Sequence, residues 1–546
     1  MSFLPQFSDL YVAGVFAIFL GMIGRYWSWP GRRHKNMPPG PTPLPILGNA
    51  LQMKPVDIYA QFRELNDKYG PLASLKIGAG NMIVIGGDGS LFRHLLDKRG
   101  AIYSNRPLQM ATEIAGEGDA LLFQQNTNKW RLARKQIVQH YASTVVKTEY
   151  VALQEAESVQ LLHEFLHNPK HFMQHPMRFT TSVVTCLNYG VRCEAYEDPA
   201  VRGIEEIMLR VCELLMPGSK PPVEDFPWLR FVPDFISDWK ARSRKLGKLM
   251  DKLYEGGWEV SSCNRNLANI AWARGTSGLN TNTLSYKLRA NEENSGLSRH
   301  FQAYIAGLVL EGGSDIVAGV ILTCILALIH DTDAQKRARE EIDALYDEDT
   351  LPRWADEQAM PFVRAVIKEV LRWRPPLPIS IPHRLEQDDY YEEYFHPKDS
   401  AIICNIWAIH SNPQRFEDPK SFKPTRFMDH KMSMVESIAQ GDPFQRDHFA
   451  FGAGRRSCPG VQVAEQDIFI ALSRLLWAFE FSAPPGTHVN IEQSAFTGET
   501  VRHPKEFPLV IKPRSERRKA TIEREMVHAK EHVFSQYGVY KAEWVS

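Results

Sequence analysis

The stretch FAFGAGRRSCPG, residues 449–460, says more about the fold of this chain than any other. It holds one cysteine, Cys458, in a glycine-rich turn, with Arg456 two residues before it. Pro459 and the run VQVAEQDIFIALSRLLWAF follow, so we predict that Cys458 lies at or just before a helix N-terminus. A helix N-terminus stabilises a thiolate, and glycines let the backbone approach a large flat group. The stretch predicts a cradle for an anionic sulfur that binds a metal; the alternative is a buried structural cysteine.

Length and composition describe a large globular protein. The chain has 546 residues, 44% of them hydrophobic, which predicts one large domain or two with a sizeable core. The formal net charge is zero and no long basic run is present, so nucleic-acid binding is not indicated. The seven cysteines include no CxxC pair, which argues against a disulfide framework and fits a reducing compartment.

The N-terminal segment predicts a membrane anchor. Residues 10–24, LYVAGVFAIFLGMIG, are uncharged and apolar, and Arg25 then precedes an aromatic and basic stretch. A spanning helix needs about 20 apolar residues, so this one reaches that length only if Arg25 snorkels. A signal peptide is the alternative, but the positive charge follows the apolar run and no good cleavage site is present. Because positive flanks stay in the cytosol, we expect a single-pass anchor with a cytosolic body.

Patterns along the rest of the chain predict a mainly α domain with a small β portion. The proline-dense residues 37–49 predict a stiff connector after an anchor and basic flank at 1–36. Apolar periodicity then predicts helices and strands, and the charged tail, 514–546, predicts a solvent-exposed helix with no assigned role. The predicted helices cover 302–329, 333–345 and 360–373, and the predicted strands cover 83–85 and 401–404.

The cysteine stretch matches the signature Phe-x-x-Gly-x-Arg-x-Cys-x-Gly at Phe451, Gly454, Arg456, Cys458 and Gly460. In this it resembles the cytochromes P-450, the haem-thiolate monooxygenases. The resemblance covers roughly residues 37–513. It implies a catalytic domain with the cytochrome P-450 fold, preceded by one N-terminal transmembrane helix. It also implies that haem b is bound through the Cys458 thiolate.

Further matches to the family concern the haem propionates. Trp130 and Arg134 fit a Trp-x-x-x-Arg motif whose members contact a propionate, and their spacing places them on one helix face. His383, in IPHR, occupies the position of a propionate-binding His or Arg, although the adjacent Arg384 is a second candidate. By resemblance, Arg456 is the stronger propionate ligand.

A set of charged residues matches the family's structural motif. Glu369 and Arg372 fit Glu-x-x-Arg, and PTRF at 424–427 supplies Arg426. The resemblance implies that these three side chains interlock behind the haem. A buried set of this kind must be complete, because removing one partner leaves an unpaired charge.

One match departs from the family pattern. Gly312, Gly313 and Asp315 fit Ala/Gly-Gly-x-Asp/Glu-Thr, where small residues are expected to leave room for oxygen and substrate. Ile316 stands in place of the threonine whose hydroxyl is taken to hold water and pass protons; isoleucine has no hydrogen-bonding group. Thr323 lies two turns away, about 10 Å along the axis, so it cannot substitute.

Three function classes follow from the resemblance and this departure. The first is a monooxygenase that inserts oxygen into a substrate. The second is a haem-thiolate oxidase that couples or rearranges substrate radicals, such as phenols, without oxygen insertion, and Ile316 favours it. The third is a non-catalytic haem-binding protein. All three need haem, so the cysteine stretch does not separate them.

The resemblance also implies partners and a location. Electrons come from NADPH through NADPH–cytochrome P-450 reductase, with cytochrome b5 as a further donor; no GxGxxG follows a predicted strand here, so the reductase is a separate protein. The implied location is the endoplasmic reticulum membrane. Expected substrate-facing segments are mainly apolar, which predicts a lipophilic small molecule.

A finer resemblance is to fungal microsomal members that tailor secondary metabolites, near the O-methylsterigmatocystin oxidoreductase group. The segments that carry it are YSNRP (103–107), FPWLRFVPDF (226–235), HRLEQDDYYEEYFHPKD (383–399), NIWAIHSNP (405–413) and HFAFGAGRR (448–456).

Overall fold

A computed structural model describes residues 14–18, 21, 32–216, 218–273, 282–497 and 500–539. Most of the predicted anchor lies outside these residues; of 10–24, only 14–18, which are helical and exposed, and residue 21 are described. Among the described residues, one helix, Arg299–His330, is long and apolar enough to cross a membrane. Since 78% of its most apolar window is buried inside the protein, we assign it to the core.

The described chain is mainly helical, as the sequence predicts. The predicted spans 302–329, 333–345 and 360–373 correspond to α13, α14 and α15 below, displaced by three residues or fewer at each end. The helices are α1 (Ile58–Tyr69), α2 (Ser90–Phe92), α3 (Gly100–Tyr103), α4 (Met110–Ala115), α5 (Asn128–His140), α6 (Ser143–Val145), α7 (Val151–His167), α8 (His175–Tyr189), α9 (Pro199–Leu215), α10 (Trp239–Ala273), α11 (Leu284–Ala290), α12 (Glu292–Ser295), α13 (Arg299–His330), α14 (Thr332–Asp343), α15 (Pro361–Trp373), α16 (Ile406–His410), α17 (Met434–Ala439), α18 (Val461–Ala478) and α19 (Glu516–His532).

Short strands form a four-stranded sheet and several two-stranded ones. The larger sheet has the order β1-β2-β7-β4, in which β2 and β7 run parallel and Ile83 lies opposite Ile402. Both predicted strands are present, within β2 and as β7. The strands are β1 (Leu72–Ile77), β2 (Gly80–Ile85), β3 (Val191–Arg192), β4 (His383–Arg384), β5 (Asp389–Tyr391), β6 (Tyr394–His396), β7 (Ala401–Cys404), β8 (Phe479–Ser482), β9 (Val510–Pro513) and β10 (Gly538–Val539).

Helix α13 occupies the centre of the core. Ser298 caps its N-terminus by accepting a hydrogen bond from the Phe301 N–H at 3.2 Å. The helix is apolar around most of its circumference and packs against α8, α10, α15 and α18. At Gly313 a Cβ atom would lie 2.6 Å from Val184 Cγ2, so glycine permits the close approach of α8.

Within the C-terminal tail, Glu516–His532 form helix α19, and the prediction that the tail is solvent-exposed is wrong for one face of this helix. Ile522 and Ala529 are buried, and the helix packs against α7. Beyond it, β10 pairs in parallel with β3, and the Phe534 ring lies 3.3 Å from the Arg192 guanidinium. Apolar residues at helical spacing within the charged tail explain the difference, because they form a narrow face that can be buried.

Candidate functional site

The cysteine loop is held in place by backbone hydrogen bonds. The Cys458 N–H donates to the Phe451 carbonyl at 2.9 Å, and α18 begins three residues later, as the sequence predicts. Gly454 has φ +68°, and a Cβ there would lie 2.3 Å from the Leu96 carbonyl oxygen, so this turn requires glycine. The Gly454 N–H donates to Asp97 Oδ1 at 2.7 Å. These contacts fix where the sulfur points.

Many protein atoms surround the Cys458 sulfur, yet the side chain retains accessible surface. Burial raises the pKa of the Cys458 thiol, and the Gly460 N–H and the Arg134 charge oppose that effect without cancelling it. The backbone N–H at the start of α18 thus favours the thiolate, as the sequence predicts, but burial outweighs it. A bound metal ion would supply the missing stabilisation of the thiolate.

A cluster of cationic side chains lies close to this sulfur. It comprises Arg106, Arg134 and Arg456, and the neutral imidazole of His383 lies beside it. Burial, and then the charges of Arg106 and Arg134, lower the pKa of Arg456 to about 8. Burial likewise lowers the pKa of Arg106 to about 9. Within the described part of the chain, none of the three arginines forms an ion pair with a carboxylate.

This unbalanced positive charge fits an anionic ligand. Buried charges in proteins are normally paired, so a group carrying its own carboxylates would complete the cluster. Haem b has two propionates and an iron that binds a thiolate. The donor set therefore fits the predicted cofactor.

Helix α5 brings Trp130 and Arg134 to the cysteine loop. Thr127 caps the helix by accepting a hydrogen bond from the Trp130 N–H at 3.2 Å. The Arg456 guanidinium stacks 3.7 Å from the centre of the Trp130 ring, and Arg134 donates to the Ser457 carbonyl. The motif of α5 and the cysteine stretch thus meet in space, although 322 residues separate Arg134 from Arg456 in the sequence.

His383 is a better candidate than Arg384 for a propionate ligand. His383 is buried on β4 and its Nδ1 hydrogen-bonds the Tyr103 carbonyl at 2.7 Å. Burial, then the charge of Arg106, lowers the pKa of His383 to about 3; a carboxylate beside it would act in the opposite direction. Arg384 instead lies 3.6 Å from Asp399.

The predicted charged set assembles. Arg372 binds both carboxylate oxygens of Glu369, at 2.6 and 2.7 Å, and both side chains are buried. Arg426 Nε approaches Glu369 Oε1 at 3.3 Å. Arg372 also donates to the backbone carbonyls of His410 and Pro419, at 3.0 and 2.8 Å. The carboxylate thereby joins α15 to the chain that leads towards the cysteine loop.

The glycine pair of α13 has two different surroundings. Gly312 faces open space, with no atom within 4 Å of a Cβ placed there, which agrees with the expected room for a small ligand. Gly313 instead contacts Val184 of α8, so helix packing accounts for it. Asp315 forms an ion pair with His503, Oδ2 to Nε2, at 3.0 Å. Ile316 is half-buried against the core.

Sequence reasoning missed two residues of the site. Arg106 lies in YSNRP, which carried only the finer family resemblance, and His503 lies in a loop before β9. Neither falls at a fixed spacing from a motif residue, so no local signal marks them. The only cue to Arg106 was that resemblance.

Comparison with known proteins agrees with this geometry. Residues 38–511 match the family model for cytochrome P450. The cytochrome P450 monooxygenase macC of Penicillium terrestre is 35% identical, over 95% of this chain and 97% of that protein. The cytochrome P450 monooxygenase patH of Aspergillus clavatus is 33% identical, over 98% of this chain and 99% of that protein.

Solved structures show the same fold at lower sequence identity. A zebra fish cytochrome P450 with progesterone has a TM-score of 0.67 and 22% identity, covering 83% of this chain and 99% of that one. A second zebra fish structure, with abiraterone, has a TM-score of 0.64. The family match spans most of the sequence and both sequence relatives align over nearly their full length. The chain therefore belongs to the cytochrome P450 family.

Proposed function

We propose that this cytochrome P450 is a monooxygenase that uses dioxygen to oxidise a lipophilic small molecule, with Cys458 as the thiolate ligand of haem b. The observation that carries the proposal is the unpaired cationic cluster beside the Cys458 sulfur. Family membership makes the protein an oxidoreductase that holds haem through a cysteine thiolate. The fungal relatives are named as monooxygenases, which supports this reaction class. The proposed role in secondary metabolism rests on the finer resemblance carried by segments such as YSNRP, 103–107.

The residues of the candidate site can each be assigned a role in holding haem or in leaving space for substrate and oxygen. When bound, haem supplies an iron at which dioxygen is reduced, and thiolate donation favours O–O cleavage. Arg106, Arg134, Arg456 and His383 hold the propionates, and Trp130 orients Arg456 through ring stacking. Gly312 leaves space on α13.

Electron delivery needs a partner and a membrane location. P450 enzymes take electrons from a redox partner; we propose NADPH–cytochrome P-450 reductase, assisted by cytochrome b5. Lys135, exposed on α5 next to Arg134, offers a positive charge for docking. The apolar segment 10–24 supports a single-pass anchor in the endoplasmic reticulum, with the domain from residue 37 onwards in the cytosol.

A second candidate function is radical coupling without oxygen insertion. Ile316 favours it, because hydrogen abstraction followed by coupling does not need oxygen rebound. Against it, Asp315 and His503 form an ion pair that can hold a proton one residue from Ile316. Loss of the threonine hydroxyl therefore does not remove every proton donor from this part of α13.

Two measurements test the proposal. Cys458→Ser should abolish the red-shifted Soret band of the ferrous–carbonyl complex, while Cys324→Ala, at a buried cysteine of α13, should keep it. Microsomes holding the full-length protein and reductase are then given NADPH, ¹⁸O₂ and a panel of lipophilic substrates. Products with one labelled oxygen atom support the monooxygenase; unlabelled dimers support coupling. A Cys458→Ser protein with the band intact would overturn the haem-thiolate assignment.

A further inference from the structure

A cavity that is partly open to solvent lies between α10, α13 and the segment that follows α4. Its empty volume, counted with its open mouth, is about 400 Å³, and its lining is mainly aliphatic and aromatic, including Leu121, Phe123, Met250 and Leu308. The backbone of this segment is tied to the cationic cluster: the Leu122 carbonyl accepts from Arg106 and the Gln124 carbonyl accepts from Arg456. The cavity therefore adjoins the proposed cofactor site.

One carboxyl group lines this apolar cavity. It belongs to Glu311, directly before Gly312 on α13, and the Tyr254 hydroxyl donates a hydrogen bond to Oε1. Among the residues that the structure describes, no cation pairs with it. Burial raises the pKa of Glu311 to about 7. A carboxyl group in such surroundings is costly, and core packing alone does not require one.

The Tyr254–Glu311 contact depends on a close approach of two helices. One turn before Glu311, Gly307 faces Tyr254, and a Cβ there would lie 2.4 Å from Tyr254 Cγ. The absent side chain lets the Tyr254 ring lie against α13, where its hydroxyl reaches the carboxyl group. The Tyr304 ring packs edge-on against the Tyr254 ring, with centroids 5.1 Å apart. The Tyr304 hydroxyl donates its hydrogen bond to Asp251 Oδ1 at 2.5 Å, so it does not bind Glu311. Glu311 is thus oriented by one hydrogen bond and retains accessible surface towards the cavity.

We propose that Glu311 is a specificity-determining residue that binds a hydroxyl group of an uncharged lipophilic substrate in this cavity. The proposal rests on the proposed function, since it places substrate beside the cofactor site. A hydroxyl can donate to the carboxylate or accept from the carboxylic acid, so either state of Glu311 binds it. A cationic amine fits less well, because a buried ion pair with one supporting hydrogen bond poorly offsets its desolvation.

The test uses the full-length haem-loaded protein and a matched pair of probes. 4-Ethylphenol and ethylbenzene differ only by the hydroxyl, and 2-phenylethylamine supplies the cationic comparison. Equilibrium titration follows the spin-state change of the ferric Soret band, which reports binding rather than turnover. We expect 4-ethylphenol to bind about tenfold tighter than ethylbenzene in the wild type. Glu311→Leu should remove this preference, and Glu311→Gln should retain part of it.

A distant substitution serves as a control, and the ferrous–carbonyl spectrum distinguishes a failure of the Glu311 proposal from a failure of the proposed function. Glu340→Gln, an exposed change on α14, should leave the preference unaltered. A wild type without preference for 4-ethylphenol, one that prefers the amine, or a Glu311→Leu protein with undiminished preference would overturn the inference. These results would leave the proposed function intact if the red-shifted carbonyl band is present. Absence of that band in the wild type would overturn the proposed function itself.

Discussion

At the scale of single residues, Ile316 is where this chain departs from its family pattern. It lies next to the Asp315–His503 ion pair, in which Oδ2 and Nε2 are 3.0 Å apart. We predict that Ile316→Thr changes how much NADPH is consumed per product and lowers peroxide release, because a hydroxyl can hold water there. Haem binding should survive, at a cost in unfolding free energy on the order of 1 kcal/mol.

The matched control is Val317→Thr, a β-branched replacement at the adjacent, buried position of α13. It should cost comparable stability and leave coupling unchanged. Product identity, peroxide and NADPH consumption are compared for both variants with the same substrate. If Ile316→Thr matches the wild type in all three, the departure from the family pattern has no mechanistic consequence.

Site residues could be predicted only where a motif sets their spacing. Cys458, Arg456 and Gly454 fall within one short window, so a single chain suffices to recognise them. Arg106 and His503 reach the site from loops far away in sequence. Their positions depend on how the α13 core and the cysteine loop pack, which no local pattern encodes.

At the scale of elements, α18 carries a buried carboxyl group whose protonation should be visible in stability. Asp467 is fully buried, accepts one hydrogen bond from Gln154 at 2.9 Å, and has its pKa raised by burial to about 8. The unfolded chain releases this proton near pH 4, so the group destabilises the fold progressively as pH rises from about 4 to 8. Asp467→Asn removes this dependence.

The expected result is that Asp467→Asn gains stability relative to the wild type between pH 5 and pH 8, by about 4 kcal/mol. Urea unfolding at several pH values measures the difference in unfolding free energy between the variant and the wild type. The new Asn side chain changes stability by an amount that does not depend on pH, so it does not affect how this difference varies with pH. Glu480→Gln, an exposed change just after α18, is the control and should show no such trend. Parallel pH profiles for Asp467→Asn and wild type would contradict the assignment of a neutral Asp467.

Helix α19 gives a second prediction at this scale. Ile522 is buried against the body of the protein, whereas Val527 on the same helix is 55% exposed. Ile522→Ala should lower the unfolding free energy by about 2–4 kcal/mol, and Val527→Ala by less than about 0.5 kcal/mol. Thermal and urea unfolding compare the two. Equal, small effects would mean that the tail helix does not belong to the folded body.

Helices and strands could be predicted from the sequence where their burial requires a clear pattern of apolar residues. Helix α13 is apolar on most sides, so its length could be read to within three residues at either end. The long α10 was not predicted as one helix, because its sequence mixes charged and apolar residues throughout. The pairing of β10 with β3 joins residues near 190 and 538 and rests on tertiary packing rather than on strand propensity.

At the scale of the whole molecule, exposed aromatic side chains on the folded domain are a second candidate for membrane contact, besides the predicted anchor. Trp228, Phe231 and Phe235 are 66%, 72% and 88% exposed, and they lie within eight residues of one another. Leu229, between Trp228 and Phe231 in the sequence, is half-buried against the cluster around Trp239 and does not belong to this exposed set. Exposed aromatic side chains grouped in this way are typical of a surface that contacts a membrane or a partner.

We therefore predict two additive contributions to membrane binding. Deleting residues 1–36 should release most of the protein from microsomes and leave haem binding intact, since the cationic cluster lies entirely in the retained part.

Residual binding to phosphatidylcholine vesicles should then disappear in Trp228→Ser/Phe231→Ser/Phe235→Ser, because each change removes apolar surface that would otherwise leave water. Leu51→Ser/Leu132→Ser, at exposed leucines elsewhere, is the matched control and should retain the residual binding. Vesicle flotation and microsome fractionation measure both steps. A full-length protein recovered wholly in the soluble fraction would sink the anchor hypothesis, and equal flotation of the truncated protein and its triple variant would exclude these aromatic side chains as a membrane contact.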